Sequence, residues 1–500
     1  MQSTTNPIAL IITIALAIQI GYAQNNRPFV QDGAFYLKGG AITIGNNILS
    51  THKTNSCDKV SLLNDNVNMT YIDIAADPTT VSSSAVSFAL EDTATIVSAT
   101  LYWAATYSGE TGSRKVNSKE YVYKVNKDRD KDINQIKFKT NDGAYNDILG
   151  TIIYDGQVAT NSVLKNNNPY ICKADVTHIL AQTNIIERVT VANIAATEGF
   201  IEGGSAGGWL LYIIYEQPDA SPQFITSFSG FEIVKEDKVT VSITDFKVPE
   251  NSSSSTITIG ALDGDYALKG DQVTLLNPVS KDVFNLKSKK RPKLNFFNST
   301  MNLSEGTTSQ RIPNSTNTLG FDIAQIAIET ENILPKDADK INIVYTTKAD
   351  GFYVFFTAFQ TQIDEVQIAQ KKAITVAQNT KIDSNDAIEP TKAMTTQAQA
   401  ITATKTPTQP VVTSKKTQPL LNKISGFYVI TNAFSNIENA YKWKLFLLDL
   451  GYQPFSFIHS VNKLEYVYIA TGKNEEELLG VLQEALSIPQ LSKTWIKEMD

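Results

Sequence analysis

The chain has 500 residues, of which 42% are hydrophobic, and carries a formal net charge of −7 at pH 7. This length predicts two or more domains, and the hydrophobic share is sufficient for large cores. The acidic balance argues against nucleic acid as a partner, because binding to phosphate requires basic surface.

The first 23 residues contain no charged side chain, and residues 8–20 are almost wholly apolar. This apolar core is too short for a transmembrane helix, and Gly21 and Ala23 supply small residues before a cleavage position at Gln24. We therefore predict a secretory signal peptide over residues 1–23, although its start lacks the usual Lys or Arg. No later stretch is long and apolar enough to be a transmembrane anchor. The mature protein is predicted to be exported, to the periplasm, the outer membrane or the cell surface.

Residues 24–364 read as strands separated by polar turns. Residues 95–105 and 239–244 alternate between apolar and polar side chains, as half-buried antiparallel strands do. Residues 209–215 are apolar on both faces, which predicts a central strand covered on both sides. This pattern predicts a mainly β protein with a large β-sandwich region. The length leaves open two packed sub-domains that divide between residues 246 and 260.

Two motifs in this region have a structural and a functional interpretation. The glycine-rich run at residues 203–208 precedes a strand rather than a helix, so it predicts a tight turn and not a phosphate-binding loop. Asp263, Asp265 and Asp271 could hold calcium through their oxygens. The EF-hand spacing is absent, however, and acidic turn residues are the commoner explanation, so no metal or other cofactor is predicted.

Cys57 and Cys172 are the only cysteines. In an oxidising compartment they could form a disulfide. Sequence alone cannot show that the two residues approach each other, and the pairing is left open.

One half of the chain carries five landmarks in a fixed order. They are Gly207-Gly208-Trp209-Leu210-Leu211-Tyr212-Ile213-Ile214-Tyr215-Glu216, Ile225-Thr226-Ser227-Phe228-Ser229-Gly230-Phe231, Phe297-Asn298-Ser299-Thr300, Asn317-Thr318-Leu319-Gly320-Phe321-Asp322 and Asp350-Gly351-Phe352-Tyr353. In this order they resemble the β-rich domain of large surface adhesins of the Bacteroidetes. The resemblance implies contacts with envelope or surface proteins, but it does not identify the ligand. From the residues alone, Asp322 and Asp350 are expected at strand ends or turns.

The composition changes in residues 365–422. Gln, Thr, Ala, Lys and Pro dominate, and no aromatic residue lies between Phe359 and Phe427. Such a segment buries too little apolar surface to offset the entropy of ordering. We predict a flexible linker, with residues 366–378 as a short exposed helix at its start.

The tail, residues 423–500, reads as strand, helix, strand, strand, helix, strand. Ser435 and Asn474 each precede a glutamate by three residues and open an apolar-periodic run, which is a helix-capping pattern. The order predicts a small α+β domain (βαββαβ) with both helices on one side of the sheet. The strands are expected at residues 426–431, 452–458, 465–471 and 493–497.

The opposite side of this sheet is predicted to be aromatic. If the aliphatic residues of the alternating strands pack on the helices, the other face carries Tyr428, Tyr466 and Tyr468, with Phe455 and Phe457 as neighbours. Tyrosine has a flat apolar ring and a polar tip, which suits stacking against sugar rings at a wet surface. The alternative is that these rings pack against another domain or protomer.

The tail resembles a SPOR domain, the sporulation-related repeat that binds the glycan strands of peptidoglycan. The matching residues are Gly426-Phe427-Tyr428-Val429-Ile430, Asn439-Ala440, Leu450-Gly451-Tyr452, Tyr466-Val467-Tyr468-Ile469 and Glu476-Glu477. An adhesin-like region beside such a tail is similar to proteins associated with gliding motility and type IX secretion. The resemblance implies peptidoglycan glycan strands as a partner.

The leading hypothesis is a non-enzymatic cell-envelope protein, with a β-rich interaction domain tethered to a peptidoglycan-binding tail. The alternative is a cell-wall glycan hydrolase that the tail targets. A glycosidase needs two suitably spaced carboxylates, and no such pair can be nominated; Asp73 and Asp77 have no recognisable catalytic partner. A third hypothesis is a secreted adhesin that faces outward.

Overall fold

The computed structural model describes residues 26–371 and 426–499 with short gaps. The gaps are residues 76, 119, 159–165, 184, 251, 253, 304–308, 330–332, 349–350, 436–438, 441–442, 445, 448–449, 451, 453, 459–463, 473 and 487. The proposed signal peptide and most of the predicted linker lie outside the described residues. The chain divides into two compact units between Pro390 and Thr391. The protein is mainly β, as predicted.

The first unit is built around one long strand, β1 (Arg27–Asn47). Its first part pairs with β15 (Pro222–Val234), and its second part pairs with β14 (Gly207–Glu216). The change of partner falls at Gly39, where φ is +151° and an added Cβ would lie 2.0 Å from the Tyr215 carbonyl oxygen. Only glycine fits this position, because it has no Cβ.

The first sandwich packs the sheet β10-β11-β5-β14-β1 against the sheet β21-β4-β12-β8-β9. The additional strands are β4 (Ser83–Ser87), β5 (Thr95–Thr106), β8 (Gln135–Thr140), β9 (Asn146–Leu149), β10 (Thr151–Asp155), β11 (Pro169–Asp175), β12 (Arg188–Ala192) and β21 (Gln310–Ile312). Trp103 and Trp209 lie fully buried in the core between them. Their indole nitrogens donate to the Ile133 carbonyl oxygen at 2.8 Å and to the Ser84 hydroxyl at 2.9 Å.

The second sandwich packs the sheet β1-β15-β24-β17-β22-β20 against the sheet β16-β23-β18-β19. The additional strands are β16 (Val239–Ile243), β17 (Ser254–Gly264), β18 (Gln272–Leu276), β19 (Val283–Asn285), β20 (Met301–Asn302), β22 (Gly320–Glu329), β23 (Ile341–Thr346) and β24 (Phe352–Gln362). Between Glu216 and Pro222 the chain passes from the first sandwich into the second, and β21 later returns to the first. The division expected within residues 246–260 therefore falls inside the second sandwich, where Phe246 packs against Phe224 and Phe359.

The two sheets that share β1 also pack on each other through their other faces. Phe356 of β24 lies 4.7 Å from Tyr102 and 5.3 Å from Tyr212, measured between ring centroids. The unit thus has four layers with three cores. This arrangement explains the apolar character of β14 on both faces, because the strand contacts a core on each side.

Shorter elements complete the first unit. They are β2 (Leu49–Ser50), β3 (Thr70–Tyr71), β6 (Thr111–Asn117), β7 (Glu120–Lys127), β13 (Glu198–Gly199), the 3-10 helix Asn64–Asn66 and the helix Thr177–Ala181. Residues 365–371 are helical. Gln367 donates to the Lys247 carbonyl oxygen at 2.6 Å, and Ile368 packs on the second core. The start of the predicted linker therefore belongs to the second sandwich.

The second unit is a four-stranded antiparallel sheet with helical segments. The strands are β25 (Gly426–Phe434), β26 (Phe455–Ile458), β27 (Glu465–Gly472) and β28 (Trp495–Met499), in the order β26-β27-β25-β28. Helical residues occur at 439–440, 443–444 and 446–447 and in the helix Leu479–Leu486, with 3-10 turns at Glu476–Leu478 and Pro489–Leu491. Along the described residues, the strands and helical segments follow the predicted order; Glu438, which forms the predicted first cap with Ser435, lies outside them. At the second helix, Asn474 and Glu477 form the expected cap, with the Glu477 backbone amide donating to the side-chain oxygen (Oδ1) of Asn474 at 3.1 Å.

Candidate functional site

Tyrosines of two neighbouring strands meet on one side of the second unit's sheet. The rings of Tyr428 and Tyr468 lie 5.0 Å apart between centroids and are nearly perpendicular, at 86°. Ile430 pairs directly with Tyr468 across the strands. An edge-to-face arrangement is favourable for aromatic pairs, so the two rings support each other's orientation.

The final strand extends this aromatic side. Trp495 lies 6.4 Å from Tyr466 between ring centroids, and the Lys497 ammonium nitrogen lies 5.8 Å from the centroid of the same ring. Lys497 is also the direct cross-strand partner of Tyr428. Tyr428, Tyr466, Tyr468, Trp495 and Lys497 therefore share one side of the sheet, which we call the aromatic face.

Strand β26 pairs with β27 and forms the edge of the sheet next to Tyr466 and Tyr468. Its register places Phe455 opposite Tyr468 and Phe457 opposite Tyr466. The structure describes these two phenylalanines through their backbone pairing. All five aromatic residues predicted for this surface thus occupy neighbouring positions in the sheet.

The other side of the sheet faces the helices. Trp443 of the first helical segment donates to the Thr431 hydroxyl at 2.9 Å, and Val467 packs with Ala440 and Ala485. The carboxylate of Glu465 also lies on this side, where it pairs with Lys444 at 2.9 Å. The tyrosines therefore point away from the helix layer, as predicted.

The residues at the centre of the aromatic face are buried, and those around them are partly exposed. Ile430 has no exposed surface, and Tyr466 is 8% exposed. Tyr428, Tyr468, Trp495 and Lys497 are partly exposed around them. Burial, followed by the neighbouring Tyr428, raises the pKa of Tyr468 to about 12, so this phenol stays neutral near pH 7.

The sequence pattern identified the tyrosines but not Trp495 and Lys497. Both belong to the predicted final strand, and their spacing of two residues puts them on one side of it. The missing information was the pairing of β28 with β25, which no local pattern encodes. With these residues, the face offers flat rings, hydroxyl groups and one ammonium group, a combination suited to polar ring-shaped ligands.

In the first unit, the later landmarks meet at a buried ion pair rather than at an open site. Asp322 and Arg291 are both fully buried, and the Arg291 guanidinium donates to the Asp322 carboxylate at 2.8 Å. The same carboxylate accepts the backbone amides of Asn298, Ser299 and Thr300 at 3.2, 3.1 and 3.1 Å. Burial lowers the pKa of Arg291, and Asp322 opposes this shift.

Asp322 is the third residue of β22, close to the strand end where it was expected, but the sequence did not indicate its buried ion pair. Its charge fixes the loop at residues 298–300 to the sheet. Its role is structural, because both partners are enclosed. Asp350, the other aspartate of these landmarks, lies outside the described residues.

The two cysteines are buried free thiols, so the disulfide left open by the sequence is not formed. Cys172 lies in β11, with its sulfur 3.5 Å from the Ile133 carbonyl oxygen. Cys57 lies in a loop where its amide donates to the Ser315 hydroxyl at 3.0 Å. Burial raises the pKa of both thiols.

The remaining sequence motifs have local structural roles. Gly203 and Gly204 have φ values of +79° and +75°, and a Cβ on Gly204 would lie 2.5 Å from the Asn64 side chain, so the run forms the predicted tight turn before β14. Asp263 accepts a hydrogen bond from Asn64 at 3.1 Å. Within the described ranges, no group of three or more His, Cys, Asp or Glu residues could hold a metal ion. Nor does any helix in those ranges combine the length and apolarity needed to span a membrane.

Comparison with known proteins does not assign the chain to a family. No protein-family model and no curated protein matches the chain. A structure of PNGF-II is 11% identical with a TM-score of 0.19, and the match covers 65% of each chain, so this chain spans less than two thirds of that one. Infectious bursal disease virus Gx strain is 12% identical with a TM-score of 0.16, covering 68% of this chain and 72% of that chain. The cowpea mosaic virus top component is 8% identical with a TM-score of 0.16, covering 71% and 97%. Likenesses this weak carry no argument.

Proposed function

We propose that this protein is a non-enzymatic component of the cell envelope. Its β-rich unit makes contacts with envelope or surface proteins, and its C-terminal unit docks on the glycan strands of peptidoglycan. The resemblance of the two regions to surface adhesins and to SPOR domains supports a role beside the gliding-motility or type IX secretion machinery.

The observation that carries the proposal is the aromatic face. Three tyrosines and a tryptophan lie together on the side of the sheet away from the helices, with Lys497 among them. Aromatic rings stack on the apolar faces of sugar rings, while hydroxyl groups and an ammonium can contact the polar groups at the sugar edges. The carboxylate of Glu465 is directed to the helix side and paired with Lys444, so it does not contribute to this surface.

The test is co-sedimentation of the full chain with isolated peptidoglycan. The wild-type protein is expected to sediment, and the double variant Tyr428→Ala/Trp495→Ala is expected to bind at least about tenfold more weakly, at roughly 1 kcal/mol per lost ring contact. These two rings are chosen over Tyr466 because both are partly exposed, whereas Tyr466 is almost enclosed. Tyr266→Ala is the matched control, since Tyr266 is an exposed tyrosine of the first unit.

Unchanged binding of the double variant, or no binding of the wild type, would assign the aromatic face to a protein ligand instead. Release of soluble glycan fragments during the same incubation would favour the alternative of a targeted hydrolase.

A further inference from the structure

A two-stranded ribbon of β6 and β7 forms the most exposed part of the first unit's sheet structure. The strands pair from Asn117 opposite Glu120 to Thr111 opposite Lys127, with a bulge between Thr111 and Gly112. On its inner side β6 is joined to β13 by two residue pairs only. β7 is the outer strand of this small sheet, and no strand of the described residues pairs with its outer side.

One side of the ribbon is aromatic and apolar. The rings of Tyr121 and Tyr123 lie 6.3 Å apart between centroids. The Arg114 guanidinium lies 4.1 Å from the centroid of Tyr121 and 4.1 Å from that of Phe200. Despite these contacts Tyr121 is 50% exposed, and its cross-strand partner Val116 is 71% exposed.

The other side of the ribbon is basic. Lys115 and Lys124 alternate in sequence with the residues of the aromatic side, and both are exposed. Val122, the cross-strand partner of Lys115, is 52% exposed between them. Within the described part of the chain neither lysine takes part in an ion pair.

The charge of the ribbon contrasts with that of the whole protein. Residues 111–127 contain five Lys or Arg residues and one Glu, whereas the chain carries a net charge of −7. Glu120, opposite Asn117, lies at one end of the basic side, so with Lys115 and Lys124 this side keeps a net positive charge that attracts acidic groups.

This edge is only partly protected against further pairing. Proteins generally protect sheet edges with short strands, charged side chains, prolines, bulges or coverage by a loop, because an open edge recruits further strands. β7 has charged side chains at Glu120, Lys124 and Lys127, but exposed apolar side chains lie between them. β7 is eight residues long, contains no proline and exposes Tyr121, Val122 and Val125. Exposed apolar side chains beside an open edge are typical of proteins that bind a partner segment as an added strand.

We propose that the outer edge of β7 binds an extended segment of a partner polypeptide in which acidic residues alternate with apolar residues. The segment adds to the ribbon as a further strand. Its apolar side chains lie beside Tyr121, Tyr123 and Val125, and its acidic side chains lie beside Val122 and Lys124, because side chains opposite each other in a sheet share a face. This deepens the proposed function: it rests on the protein contacts assigned there to the β-rich unit and names the surface that makes them. Glycan binding by the other unit is tested separately.

The test uses the full chain and a synthetic labelled peptide of the length of β7, in which Glu and Val alternate and both ends are blocked. Binding is measured by fluorescence anisotropy at low salt. A peptide of the same composition with the glutamates grouped at one end is expected to bind at least roughly tenfold more weakly, because it cannot present one acidic and one apolar side. On binding of the alternating peptide, hydrogen exchange is expected to slow at residues 120–127.

The protein variants provide matched charge changes. Lys115→Glu/Lys124→Glu is expected to weaken binding roughly tenfold, since repulsion replaces attraction at Lys124 beside the added strand and at Lys115 one strand further in. Lys287→Glu/Lys289→Glu makes the same change at two exposed lysines of the second sandwich and is expected to leave binding unchanged. Thermal unfolding of each variant shows whether the fold is retained.

Three results would overturn the proposal. The first is absence of binding by the alternating peptide. The other two, equal binding of the two peptides and equal loss of binding in the two double-lysine variants, indicate nonspecific charge attraction. A concentration-dependent dimer in analytical ultracentrifugation that Lys115→Glu/Lys124→Glu disrupts would assign the edge to a second copy of this chain and would also overturn it.

Discussion

Replacing Asp322 by Asn should destabilise the first unit strongly while changing the side-chain volume very little. The substitution removes the negative charge that faces Arg291, and both residues are fully buried. Leaving one charge of a buried pair without its partner typically costs about 3–5 kcal/mol.

The local hydrogen bonds indicate the same direction. One oxygen of Asp322 accepts Arg291 and the amides of Asn298 and Thr300, and the other oxygen accepts the Ser299 amide. An asparagine can keep the first set, but its NH2 group then faces the Ser299 N–H, and both groups are donors. A domain is stable by about 5–15 kcal/mol, so a loss of about 3–5 kcal/mol should leave the variant folded. At roughly 2–4 °C per kcal/mol for a large domain, this loss lowers the melting temperature by roughly 6–20 °C.

Differential scanning calorimetry of the full chain measures this shift. Asp337→Asn is the control, because it removes the same charge from an exposed pair with Lys247 and should leave the transition in place. Adding Arg291→Met to Asp322→Asn should cost less than the two single changes together, since the uncompensated charge is then gone. A shift for Asp322→Asn no larger than that of Asp337→Asn would refute the structural role assigned to the pair.

Three further results are expected. Gly39→Ala should lower the free energy of unfolding of the first unit, since the new Cβ would lie 2.0 Å from the Tyr215 carbonyl oxygen at a φ of +151°; chemical denaturation would measure the loss, and an unchanged midpoint would contradict it. Cys57 and Cys172 should react with a thiol reagent only after unfolding, because both are buried free thiols with raised pKa values; rapid labelling of the native protein, or no labelling after unfolding without a reductant, would contradict this. The second unit should lose stability as the pH rises from about 10 to about 12, because burial raises the pKa of Tyr468 above its value in the unfolded chain and the folded state therefore retains the proton longer; Tyr468→Phe should reduce that loss in pH-dependent melting curves.

The tail could be predicted from sequence because its signals are local. Alternation marked its strands, Asn474 and Glu477 marked the start of its second helix, and the period of two placed Tyr466 and Tyr468 on one side. Trp495 and Lys497 were missed because their place beside β25 depends on strand pairing. Pairing partners distant in sequence leave no periodic signal in either strand.

The first unit shows the same limit more clearly. Its β character followed from alternation and turns, but the sharing of β1 between two sheets and the return of β21 to the first sandwich did not, so the two sandwiches do not divide at one point of the chain. Asp322 was expected only as a strand-end or turn residue, because its partner Arg291 belongs to a loop distant in sequence. A buried charge is recognisable only when both of its partners are located.

The shared strand β1 also determines the order in which the protein can fold. Its contacts span most of the unit: Ser229 donates to Asp32 across 197 residues, and Asn46 donates to the Pro313 carbonyl oxygen across 267 residues. A chain that emerges from its amino end therefore presents β1 long before β14 and β15 exist to pair with it. Contacts between such distant segments slow folding and prolong the exposure of apolar strands. Each sandwich includes strands from beyond residue 300, so neither can be completed until most of the unit has been synthesised.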